Sequence, residues 1–193
     1  MKKLLLKVSL VMLIFIITSN LSNGMNTGGM ISGFLGYNLP MGSFGDVYNG
    51  SLYIGAQGEY EVTPEIGLDF SLGFTSWKYD AVFGSQYGIS SFITVPILVG
   101  ARYHIADIKG TIPYGGVDLG MYSTTLKYNY SRASDTQKKF GFDLLGGAMM
   151  PIGDNLYLNV FVSYNYVNTV NSSTWIGLNA GVSFLLSPPQ PQE

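Results

Sequence analysis

"GEYEVTPEIGLDFSLGF", residues 58–74, decides the fold. Two runs of alternating residues meet at a short turn. Tyr60 and Val62, then Ile66, Leu68, Phe70, Leu72 and Phe74, share one parity. Glu59 and Glu61, then Gly67, Asp69, Ser71 and Gly73, share the other. A period of two marks a strand, because successive side chains point to opposite faces. Thr63, Pro64 and Glu65 supply the turn, since proline fixes φ and lacks the N–H that a ladder needs. The pair reads as a hairpin with one greasy face and one small or acidic face. Fold and function depend on which face looks inward.

The same period runs through the chain. It predicts eight strands, at residues 29–38, 51–62, 66–78, 92–105, 112–126, 139–152, 155–167 and 174–186. The connections alternate in length. Those after residues 62, 105 and 152 are short, whereas 39–50, 79–91, 127–138 and 168–173 are longer. In an antiparallel meander, short turns then share one end and long loops the other. Helical periodicity is missing, and no later stretch approaches the eighteen apolar residues of a spanning helix.

Composition narrows the setting. Of 193 residues, 47% are hydrophobic and only 11% charged, whereas a soluble domain has about 25% charged residues. The chain has no cysteine, which excludes disulfides, thiol catalysis and zinc ribbons. The formal charge is −2 with no basic cluster beyond the first residues, so nucleic acid is not an expected partner. Residues 1–24 carry Lys2, Lys3 and Lys7, an apolar core at 8–17, then Ser22 and Gly24. This is the layout of a secretory signal peptide. Its removal leaves seven basic and twelve acidic residues, a net charge of −5. The expected organisation is a signal peptide at 1–24, a single domain at 25–186 and a short polar tail at 187–193.

The facing of the strands follows from what lies opposite the apolar residues. A soluble barrel shows polar faces to water and would coat them with Lys, Glu and Arg. Here the alternate face is mostly Gly, Ser, Asn and Thr, with few charges, which suits a narrow enclosed lumen. Glycine there leaves room for Tyr53, Tyr114, Tyr157, Phe161 and Trp175. The other face is apolar in almost every strand. Tyr60 and Tyr103 lie near the short turns, and Phe74, Tyr164 and Tyr166 near the long loops, as in two aromatic girdles at membrane interfaces. Closure removes the strand edges that hydrocarbon does not tolerate. The expectation is an all-β, eight-stranded, antiparallel up-and-down transmembrane β-barrel with the greasy face toward lipid. The opposite facing would make a soluble barrel that binds an apolar ligand.

With this facing, Glu59, Glu61, Asp69, Asp118 and Asp143 point inward with Arg102 and His104. Buried charges must pair, so these seven are expected to form a structural lumen network. A gate or narrow cation path is the alternative, because acids outnumber bases. His104 is the only histidine and sits near a short turn; a catalytic role would need an oriented acid and a nucleophile beside it. No phosphate loop, metal cluster or haem motif occurs, so no enzyme activity, cofactor or metal is expected.

"GFLGYNLPMGSFGD", "PILVGARYHI", "PYGGVDLGMY" and "WIGLNAGVSFLL", with the opening hairpin, resemble the small eight-stranded outer-membrane barrels of the OmpA/OmpX type. The resemblance covers nearly all of residues 25–186. It implies a bacterial outer-membrane location, with outer-membrane lipid and lipopolysaccharide as surroundings. It implies a role in envelope integrity or adhesion, with an extracellular ligand taken through the long loops, and a narrow porin-like channel as the alternative. The final strand also resembles the signal read by the barrel-assembly machinery, carried here by Asn179, Gly181, Phe184 and Leu186. Relatives often end at a terminal aromatic residue, whereas "SPPQPQE" follows here.

Overall fold

A computed structural model describes residues 28–79, 89–128, 134–169 and 172–186. The expected signal peptide and C-terminal tail, and parts of three long loops (80–88, 129–133 and 170–171), lie outside the described residues. The elements are β1 (Gly29–Met41), the one-turn helix α1 (Gly42–Gly45), β2 (Ser51–Glu61), β3 (Ile66–Lys78), β4 (Ile89–His104), β5 (Ile112–Tyr128), β6 (Ser134–Gly153), β7 (Leu156–Val167) and β8 (Ser173–Leu185). Each strand pairs antiparallel with its sequence neighbour, and β8 returns to pair with β1. The result is a closed up-and-down barrel, as the period of two and the alternating connections predict.

The opening hairpin fixes the facing. Tyr60 stands opposite Leu68 and Ala56 opposite Leu72, while Glu59 stands opposite Asp69. The first set faces out and the second in. Outward, Leu52 is 77% exposed, Leu35 68% and Val99 60%. Hydrophobic side chains bared to this degree all around a barrel form the surface that hydrocarbon solvates. Inward, Ser32, Gln57, Thr75, Thr94, Asn159 and Ser183 are buried. They bond to one another on the inner wall: Ser32 Oγ donates to Ser183 Oγ at 2.7 Å, and Asn38 Nδ2 to Thr75 Oγ1 at 3.0 Å. A core of this polarity inside a bared apolar shell is the reverse of a soluble sandwich.

The strand ends differ from expectation at the long-loop side. The ladder of β5 and β6 continues to Lys127 opposite Ser134, so most of the loop expected at 127–138 is strand. Thr124, Thr125 and Thr136 hide the period because they are polar on both faces. Their branched side chains nonetheless suit a pleated surface, and the Thr125 and Thr136 hydroxyls bond at 2.9 Å. Likewise β1 runs on to Met41, opposite Thr174. Gly42 then turns the chain at φ +55°, a left-handed conformation that glycine takes without strain. The turn starts α1, which drops Phe44 into the barrel mouth, where it is buried.

Candidate functional site

Register places the acidic residues on one belt. Glu59 of β2 is opposite Asp69 of β3; Asp69 is opposite Gly100 of β4; Gly100 is opposite Asp118 of β5; Asp118 is opposite Asp143 of β6. Like charges directly opposite one another repel, so such a belt survives only with compensation. Gly100, at its centre, carries no side chain. A Cβ there would run into the Asp118 carboxylate and the Val117 carbonyl. The space it leaves is taken by the Asp118 carboxylate, which Arg102, two residues along β4, faces.

Arg102 is the hub. Its Nε lies 3.3 Å from Asp69 Oδ2 and its Nη2 3.8 Å from Asp118 Oδ2, with all three side chains almost fully enclosed. The guanidinium also sits 5.4 Å from the centre of the Tyr114 ring, close enough for a cation–π attraction. His104 serves Glu59, with Nε2 3.0 Å from Oε1, and Gln57 Nε2 donates to the other Glu59 oxygen at 3.3 Å. Asp143 is held differently. The Tyr122 hydroxyl donates to it. With its nitrogen turned to the carboxylate, the Asn165 amide donates to both Asp143 oxygens at 3.0 and 3.1 Å and accepts from Ser163 Oγ at 2.9 Å. Glu61, at the short-turn end, accepts from the Gly28 N–H at 3.3 Å.

The seven lumen residues named from the sequence therefore fall into the Arg102 ion-paired group, the His104–Glu59 contact, a neutral cradle for Asp143, and Glu61 at the rim. Between the groups a cavity of about 30 Å³ touches Gln57, Arg102, Asp118 and Asp143. That volume holds one or two water molecules.

Of the layer above, sequence reasoning placed only Trp175 inside the barrel. Trp77 and Tyr122 are fully buried and Trp175 nearly so, and with Phe44, Phe92, Leu98 and Val167 they form one cluster across the outer half of the lumen. Phe44 meets Trp77 edge-on at 5.0 Å, and Trp77 meets Trp175 at 5.4 Å. Trp77 Nε1 donates to Thr94 Oγ1 at 3.0 Å. The available signal was parity. Trp77, Phe92, Leu98 and Tyr122 fall on the face whose other members are small or polar, which in a closed barrel makes them filling. Lys139 was missed in the same way. It shares the inward parity of Asp143 and lines the outer mouth, a second inward cation beside Arg102.

The proposed assembly residues divide between faces. Asn179 is buried inward and Nδ2 reaches Ser163 Oγ at 3.5 Å, whereas Phe184 and Leu186 face outward and are about half exposed. Gly181 packs where a Cβ would collide with the Gly33 carbonyl across the β8–β1 seam.

These features define a membrane barrel with a filled lumen, and comparison with known proteins agrees. The chain belongs to the outer membrane protein beta-barrel domain family, whose model matches residues 8–184. It is a protein of the bacterial outer membrane. No curated protein matches the sequence. Among solved structures, Neisserial surface protein A superposes with a TM-score of 0.63 at 20% identity, over 81% of this chain and 96% of that one. OprG of Pseudomonas aeruginosa gives 0.59 at 13% identity, over 84% and 99%. Ail of Yersinia pestis, the attachment invasion locus protein, gives 0.55 at 13% identity, over 84% and 100%. At such identities the likeness is one of fold.

Proposed function

We propose that the protein is a sealed, non-enzymatic barrel that works at its outer face, in adhesion or envelope integrity. The observation that carries this reading is the filling of the lumen. An aromatic layer blocks the outer half, ion pairs block the middle, and the space between the charged groups admits no more than a water or two. Eight strands enclose a volume that side chains can fill completely. Transport through such an interior would require the layer to come apart.

The surroundings follow from the surface. The apolar belt meets the lipid and lipopolysaccharide of the outer membrane. Asn179, Gly181, Phe184 and Leu186 form the strand offered to the barrel-assembly machinery during insertion. An extracellular ligand would be met by the long-loop end, where the β5–β6 hairpin rises. Ail is named for attachment on the same fold, so the fold can host that role. One observation favours a second reading, a narrow cation path: Glu59, Asp69, Asp118 and Asp143 outnumber Arg102 and His104 along the lumen.

Deletion and plasmid re-expression test the proposal. Loss of the protein is expected to weaken attachment to surfaces or resistance to detergent, with re-expression restoring it. Unchanged attachment and detergent resistance, together with cation conductance by the purified protein, would overturn it in favour of the channel.

A further inference from the structure

Above the aromatic layer the barrel mouth opens into a cavity of about 310 Å³. Its floor is Phe44, Tyr48 and Phe92. Its wall is Asp135, Gln137 and Lys139, the inward parity of the β6 extension. The floor is held in place before any ligand arrives. Phe44 and Tyr48 lie 4.6 Å apart, Tyr48 and Phe92 5.3 Å, and the Tyr48 hydroxyl bonds the Tyr79 hydroxyl at 2.7 Å. Ser172, in the connection between β7 and β8, also lines the cavity and has φ +45°. A non-glycine residue held there is strained, and such strain gathers at functional sites.

The chemistry of the walls selects a ligand class. A ring floor with a few converging polar groups is the usual make-up of a small-molecule site. Asp135 and Lys139 cancel, so neither sign of charge is preferred. Gln137 Nε2 bonds Asp135 Oδ2 at 3.1 Å, and together the pair offers both a donor and an acceptor. Among the described residues the ion pairs are those of Arg102 and His104, which leaves the Lys139 ammonium available. The site is blind, because Trp77 and Tyr122 fill the lumen beneath it. A lipid chain would find no slot to enter. We propose that this cavity binds an uncharged sugar ring at the end of a glycan. The C–H face of the ring lies against Tyr48, the floor aromatic that keeps exposed surface, with Phe44 and Phe92 buried beneath it. Its hydroxyls donate to Asp135 and accept from Gln137 and Lys139. The inference rests on the surface-interaction reading and supplies its ligand.

Saturation-transfer NMR on the full protein in nanodiscs tests it, with a heat-dependent gel shift confirming that each sample is folded. The probes are methyl glycosides of neutral hexoses and of glucuronate. Neutral glycosides are expected to receive saturation more strongly than glucuronate. Gln137→Ala, a change at an exposed position, is expected to weaken binding roughly fivefold, the scale of one lost hydrogen bond. Tyr48→Leu is expected to weaken it further. Host-type oligosaccharides and delipidated bacterial polysaccharide form two further arms, and binding in either supports the chemistry and names the source. No transfer to folded protein, tighter binding of glucuronate, or unchanged binding by both variants would overturn the proposal. Attachment that survives both variants but fails on deletion would remove the sugar site and leave the surface role standing.

Discussion

Arg102 stands between two aspartates that register would otherwise set against each other. Replacing it by Met leaves Asp69 and Asp118 enclosed without their cation. Removing one partner from a buried pair costs about 3–5 kcal/mol, and Arg102→Met is expected to lose about that much in urea unfolding of the lipid-reconstituted barrel. A loss under 1 kcal/mol would mean that the acids are neutral or hydrated and that Arg102 is not the hub. Gly100 belongs to the same argument, because the space it leaves admits the Asp118 carboxylate. The inward placement of the acids was legible in the sequence, since alternation is a local property. Their partners were not. That Asp143 rests on Tyr122 and Asn165 rather than on Arg102 depends on how β5, β6 and β7 align, and no single strand contains that information.

At the scale of elements, β3 was read to the residue because its apolar alternation is unbroken from Ile66 to Phe74. The outer ends were misjudged where threonine replaces that alternation. The segment 39–50 read as an irregular loop, because a single helical turn begun by Gly42 leaves no periodic trace. Yet this segment carries Phe44 and Tyr48 to the mouth. Burial and the neighbouring Tyr79 hydroxyl push the Tyr48 phenol above its ordinary value. A raised pKa means that the fold prefers the protonated form. The stabilisation is therefore complete below about pH 10, the unfolded value, and is lost as pH climbs above it. Unfolding midpoints taken from pH 8 to 12 are expected to fall on the alkaline side, and less steeply for Tyr48→Phe. Equal slopes for both proteins would place Tyr48 in water.

The whole molecule inverts the usual distribution of polarity, with apolar residues outside and ion pairs within. Val99 on the outer face and Trp77 within test the two halves of that statement. Val99→Arg is expected to cost about 2–4 kcal/mol in lipid, the price of a cation facing hydrocarbon. Trp77→Ala is expected to cost about 3–5 kcal/mol through the cavity it leaves. Urea unfolding in vesicles measures both, and a neutral Val99→Arg would reverse the facing of every strand. Closure and facing were legible because period and loop lengths repeat along the chain. The aromatic layer was not, because its members come from β3, β4, β5, β7, β8 and α1 and meet only once the barrel has closed.

The most direct measurement is the conductance of the purified protein in planar lipid bilayers, with a cold-versus-boiled gel shift confirming that the inserted barrels are folded. A lumen closed by Trp77, Tyr122, Trp175 and the Arg102 pairs is expected to give no steady openings. Steady cation-selective openings by the unaltered protein would contradict the sealed lumen and make the acidic belt a conduction path.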